Sequence, residues 1–216
     1  YFLFIQNLNS PHPSFFSEAW SLPVEEWFYL LIPVIIFIFI KVVKIPVNKT
    51  ILLTAFIIIF CVTTFRFYRY ITLTIDNISI WENTFKYQVF TRLDSIMYGV
   101  LGAYIHFFFI SYWLKYKKQL LITGVVIFIF VKFEFFNFEK FGLYQSVFSF
   151  SLISLATLLL LPYLSSLKKG KGFLYKSLTY TSLISYSMYL INHTIMQQWI
   201  LERIEWEMIK NFNGYL

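Results

Sequence analysis

The chain has 216 residues, of which 58% are apolar, 23% aromatic and 13% charged, with a net charge of +7. That charged fraction is about half of what a soluble domain carries, and 27 Phe with 16 Tyr exceed what one soluble core of this length buries. The single cysteine, Cys61, lies in an apolar run and excludes a disulfide framework, so composition points to one membrane domain and away from an ordinary soluble one.

Taken in chain order, Tyr1–Ile5 reads as the last turns of a helix, and no initiating Met precedes it. The expectation is a single membrane domain over 1–216, N-terminally truncated from a longer protein. Apolar runs then predict helices over 23–43, 50–66, 93–112, 119–132, 143–163 and 178–200. The predicted fold is all-α, a polytopic transmembrane bundle of about six spans, since ~20 apolar residues cross the hydrocarbon. The run at 119–132 is short; it either extends through Phe133–Phe138 or is re-entrant.

The first helix opens on Trp20-Ser21-Leu22-Pro23-Val24-Glu25-Glu26-Trp27-Phe28-Tyr29. Ser21 suits an N-cap and Pro23 a first helical turn. Glu25 and Glu26 fall at the positive end of the helix dipole. They are either carboxylates that favour a helix start or functional groups, and neighbours on a helix point about 100° apart. The longest loop, Phe67–Arg92, ends at Arg92 and Asp94, which are placed to pair with each other or with Glu25.

Three helices carry polar stripes at helical spacing. The third has Ser95, Tyr98, Gly99, Gly102 and His106; the fifth has Ser149, Ser151, Ser154 and Thr157. The last has Ser182, Ser185, Tyr186, Tyr189, Asn192, His193 and Gln197. Small residues and hydroxyls of this kind serve helix packing, the reading preferred for the fifth helix. A polar cavity is the other reading, and it suits the last helix, where Tyr and His are bulky for packing.

The loops set an orientation. Lys41, Lys44 and Lys49, then Lys115, Lys117 and Lys118, then Lys168, Lys169, Lys171 and Lys176 form three connections with ten cations and no acid. All eleven Asp and Glu lie elsewhere, with the other eight of the 18 Lys and Arg. The two kinds of loop alternate, and the positive-inside rule places the lysine loops in the cytoplasm. Topology thus explains the positive charge. The histidines His12, His106 and His193 are scattered, so no metal site is expected. No phosphate-binding glycine loop, nucleophile elbow or nucleic-acid signature is present.

Three stretches together resemble the membrane-bound acyltransferase 3 family, whose members O-acylate surface and secreted sugars. Phe4-Ile5-Gln6-Asn7-Leu8 followed by the Trp20–Tyr29 block and Pro33 is similar to the family's W-S-L-x-V-E-E-x-F-Y region. Arg92-Leu93-Asp94 with Gly99 is similar to its R-x-D-x(4)-G stretch. Ile184-Ser185-Tyr186-Ser187-Met188-Tyr189-Leu190-Ile191 is similar to its S-Y-x-x-Y-L-x-H ending, with Asn192 at the usual His position and His193 next. The family usually has about ten helices, of which this chain would supply the later six. The family's catalytic histidine belongs to the earlier ones.

The resemblance implies transfer of an acyl group, most often acetyl, from acyl-CoA (acetyl-CoA) as donor substrate to a carbohydrate hydroxyl, with no bound cofactor. The apolar runs place the protein in the lipid bilayer, the Lys, Ile, Phe and Asn bias points to a bacterium and so to its cytoplasmic membrane, and with no nucleic-acid signature no nucleic-acid partner is expected. Glu25, Arg92 and Asp94 are the expected catalytic groups. Glu25 orients a base or binds acceptor hydroxyls, Arg92 holds Glu25 or stabilises an acyl oxygen, and Asp94 orders Arg92. Ser21, Glu26, Tyr186, Tyr189 and His193 are the expected substrate-binding residues. A transporter or flippase, or a non-catalytic scaffold, are the rival readings; a transporter would favour helices broken by Gly or Pro, which this chain mostly lacks.

Overall fold

A computed structural model describes residues 3–11, 19–132, 141–167 and 172–191. Among these residues all regular structure is helical. The helices are α1 (Leu22–Lys41), α2 (Val47–Thr72), α3 (Ile78–Trp81), α4 (Leu93–Phe108), α5 (Ile110–Lys115), α6 (Lys117–Lys132), α7 (Ser149–Leu164) and α8 (Phe173–Ile191). A π turn over Glu82–Lys86 extends α3, and another over Tyr144–Phe148 leads into α7. The chain forms two compact units, one of Tyr1–His12 with Ser21–Leu167 and one of Pro13–Trp20 with Lys168–Leu216.

Among the described residues, three helical stretches are long and apolar enough to cross a membrane: Leu22–Lys41 with 20 residues, Val47–Thr72 with 26 and Tyr144–Leu164 with 21. At ~1.5 Å per residue the shortest covers about 30 Å, the thickness of the hydrocarbon layer. α4 is apolar but has only 16 residues. The predicted span over 93–112 breaks at Phe109, whose φ of −134° and ψ of 42° leave the helical region before α5 begins. Among the described residues the chain is thus all-helical and of membrane type, with three candidate spans where the apolar runs of the whole chain predict about six. Large apolar side chains on the outside of the first unit agree with a lipid environment: Phe37 is 60% exposed, Phe60 72% and Phe107 81%. Water would penalise such a surface and a bilayer would not.

Within the first unit, α2 packs on α1 and α4, and α7 packs on α4 and α6. Glycines set the closest approaches. A Cβ at Gly124 would lie 2.9 Å from the Ala156 carbonyl oxygen and 3.0 Å from Leu159 Cβ, so α6 and α7 meet backbone to backbone there. At Gly102 the nearest atom is the tip of Leu158, at 2.5 Å from the same construction. Val24, Val62, Val89 and Leu93 form one buried cluster where the start of α1, the far half of α2 and the start of α4 come together.

α1 starts one residue after Ser21, as the N-cap expectation requires, but no side-chain cap bond forms. Its carbonyl instead accepts from the Val24 and Glu25 amides at 3.1 and 3.4 Å, and Pro23 occupies the first turn. α2 runs six residues past the predicted end at 66, which places Arg66 and Arg69 inside the helix. In the second unit, α8 begins at Phe173, five residues before its predicted start.

Candidate functional site

Two buried ionic groups are brought together where α2 and α4 cross. Arg66 on α2 donates through Nη2 to Asp94 Oδ2 on α4, and both side chains are 0% exposed. Ser151 on α7 completes the cluster: it accepts from Arg66 Nη2 and donates to Asp94 Oδ2, both at 2.9 Å. Three helices are therefore tied at one carboxylate oxygen. The other polar atoms of the pair, Asp94 Oδ1 with Arg66 Nε and Nη1, are buried and have no hydrogen-bond partner among the described residues. The Tyr98 hydroxyl, one turn along α4, interacts with Ser151.

An aromatic floor supports this charge. The Phe150 ring carries the Arg92 guanidinium at 4.6 Å and that of Arg66 at 5.6 Å. Trp81 stacks on Phe150 at 5.6 Å and donates its indole N–H to Ser146 at 3.0 Å. Cation–π attraction of this type strengthens when water is removed. Burial pushes the Arg92 pKa down; Asp94 opposes that shift and Arg66 adds to it, while the guanidinium stays charged in any case.

Loops close the end of the bundle. Arg69, one turn beyond Arg66, donates to Thr84 O, Gln88 Oε1 and Asn9 Oδ1, each at 2.6 Å. The N-terminal segment joins there as well. Asn7 Nδ2 donates to Tyr87 O at 2.5 Å, Asn7 O accepts from Val89 N at 3.0 Å, and Trp27 Nε1 donates to Phe4 O at 2.9 Å. Lys86 holds Glu82 at 2.6 Å. Burial alone would lower the Lys86 pKa, but its bonds to Glu82 and Tyr87 outweigh that and leave it raised.

The expected site residues fall out unevenly. Asp94 is at the centre, and its ionic partner is Arg66, which sequence reasoning passed over because it was read as the end of a span. Arg92 lies beside the pair, on the Phe150 face. Val24 and Leu93 share the buried cluster, so Glu25 and Asp94, each next in sequence, belong to the same end of the bundle. Glu25 and Glu26 are themselves exposed on α1, and Ser21 is half-buried. Tyr186 and Tyr189 lie on α8 of the second unit, 56% and 40% exposed. His193 lies outside the described residues.

The packing reading of the α7 stripe has its hydroxyls bond across to neighbouring helices, and one of the four does so. Ser154 and Thr157 donate to carbonyls four residues earlier on their own helix, and Ser149 does so to Gln145 O. Ser151 alone of the four reaches across to α2 and α4. Ser185 on α8 likewise bonds within its own helix, to Ser182 O at 2.8 Å.

No family model matches the chain, and neither a curated protein nor a solved structure is detectably similar to it.

Proposed function

We propose that this chain is part of an integral-membrane O-acyltransferase that moves an acyl group, in the simplest case acetyl, from acyl-CoA to a hydroxyl of a surface or exported carbohydrate. The observation that carries the reading is a convergence. Phe4–Leu8, Trp20–Tyr29 and Arg92–Asp94 resemble acyltransferase 3 stretches, and members of all three meet: Trp27 bonds to the Phe4 carbonyl, and Leu8, Val24 and Leu93 share one apolar cluster. They converge on a buried ion pair inside an apolar helical unit. Such pairs are costly away from water and tend to mark a working site.

In this reading Glu25 and Glu26, exposed at the rim, meet acceptor hydroxyls, and Asp94 with Arg92 lies deeper. A positive guanidinium near the reacting carbonyl stabilises charge that develops on its oxygen. The acyl donor approaches from the cytoplasm, where the lysine loops lie by the positive-inside rule. The bundle end holding Glu25 and Asp94 then faces outward, in a bacterial cytoplasmic membrane. In this reading the chain contributes about six spans, as its apolar runs predict.

The test deletes the full-length gene in its host and restores either wild type or Glu25→Gln. Surface glycans are then compared by mass spectrometry. Loss of one acyl group on deletion, restored by wild type alone while both proteins insert equally, is the expected result. Glycans identical in all strains would overturn the reading.

A further inference from the structure

We propose that Arg66 is a positioning residue for acyl transfer, a role resting on the function proposed above. The geometry is specific. Arg66 Nη2 and the Ser151 hydroxyl both engage Oδ2 of Asp94. With Oδ2 held from two helices, the carboxylate cannot turn about its Cβ–Cγ bond without breaking both bonds. Oδ1 is left as the edge with no hydrogen-bond partner among the described residues. A carboxylate oxygen in that state accepts a hydrogen bond from a hydroxyl. The ligand class for Oδ1 is therefore a hydroxyl donor, here the acceptor alcohol, whose oxygen Asp94 orients for attack: the ester C–O bond forms as the thioester C–S bond breaks, and the alcohol proton ends on the coenzyme A sulfur, which leaves as the thiol.

Nothing in the resemblance supplies Arg66. It lies on a different helix from the Arg92-Leu93-Asp94 stretch, 28 residues before Asp94. The neighbouring Phe150 ring, 5.6 Å from its guanidinium, limits the rotamers open to it.

The experiment uses the full-length protein in membranes, with labelled acetyl-CoA and glycan from the deletion strain. It compares wild type, Asp94→Asn, Arg66→Gln with Asp94→Asn, and Ser151→Ala. The neutral pair Arg66→Gln/Asp94→Asn removes both charges and avoids stranding one, so it keeps the fold where Arg66→Gln alone does not. The proposal predicts that the neutral pair inserts and elutes like wild type but transfers at least about 100-fold more slowly. That loss is the size seen when a group orienting the reactants is removed. Ser151→Ala keeps the ion pair and loses one of the two bonds at Oδ2. It should raise the acceptor KM by about 5- to 10-fold, the worth of one hydrogen bond. Transfer by the neutral pair within about threefold of wild type would overturn the proposal and leave the ion pair a structural one. Absence of transfer by wild type itself would overturn the functional reading, and this inference with it.

Discussion

Arg66 and Asp94 face each other across the α2–α4 contact with no side-chain exposure on either residue, and Ser151 of α7 bonds to both. A buried ion pair is a weak source of net stability, because desolvation offsets most of the attraction. Its removal by halves is another matter. Arg66→Gln leaves Asp94 buried without its counter-charge and should destabilise the protein by about 3–5 kcal/mol. The double change Arg66→Gln/Asp94→Asn should recover most of that loss. Thermal aggregation of detergent-solubilised protein, followed by size exclusion, would show the order wild type, double variant, single variant.

The two packing glycines should respond unequally. At Gly124 an added methyl would meet backbone, the Ala156 carbonyl oxygen at 2.9 Å. Helices α6 and α7 would have to separate, and Gly124→Ala should cost about 1–3 kcal/mol. At Gly102 the obstacle is the end of the Leu158 side chain at 2.5 Å, with Trp113 and Leu161 no nearer than 3.7 Å. A rotamer change there is cheaper, so Gly102→Ala should melt above Gly124→Ala in the same assay. The reverse order would show that the α6–α7 contact is looser than described.

Trp81 tests the floor beneath the charges. Trp81→Phe retains a ring against Phe150 but loses the indole bond to Ser146, 3.0 Å long. Ser146 keeps its own bond to Phe141 O at 3.0 Å, so the loss should be about 1 kcal/mol. Trp81→Ala removes a side chain only 8% exposed and should cost about 3–5 kcal/mol. Unfolding of the two variants alongside wild type checks both figures.

The proposed orientation is open to direct labelling. In a Cys61→Ala background, single cysteines at Lys44 and Lys118 should resist a membrane-impermeant maleimide added to intact cells, and a cysteine at Asp76 should react. Labelling at Lys44 with protection at Asp76 would invert the bundle and place Glu25 on the cytoplasmic side.

Much of the helical layout was legible because long apolar runs have few alternatives. The predicted 23–43 becomes α1 at Leu22–Lys41, 119–132 becomes α6 at Lys117–Lys132, and 143–163 becomes the stretch Tyr144–Leu164. The main error, at the end of α2, has a physical cause. Arg66 and Arg69 lower the local hydropathy, so Arg66 reads as the end of the span and Arg69 as loop. In the fold, Arg66 is neutralised by Asp94 and Arg69 is spent on Thr84, Gln88 and Asn9. Those partners are distant in sequence and leave no local signal. The break at Phe109 was equally hidden, since Phe-Phe-Phe-Ile continues the apolar run without Gly or Pro.

The site was legible by half. Asp94 and Arg92 stand out as charges beside an apolar helix, and both lie in the cluster. Arg66 and Ser151 did not stand out, although one signal was present: Asp94 buried at a helix start needs a cation, and Arg66 is the residue of α2 that a bundle geometry could supply. Ser151 is indistinguishable by spacing from Ser154 and Thr157, which bond only to their own helix.

The most direct test of acyl transfer reconstitutes the purified full-length protein in liposomes, with acetyl-CoA labelled in its acetyl group outside or inside and glycan from the deletion strain. The account predicts label covalently attached to glycan by wild type, and none by Glu25→Gln or the Arg66→Gln/Asp94→Asn pair. Glycan that crosses the bilayer unlabelled, or label that never leaves acetyl-CoA, would contradict it.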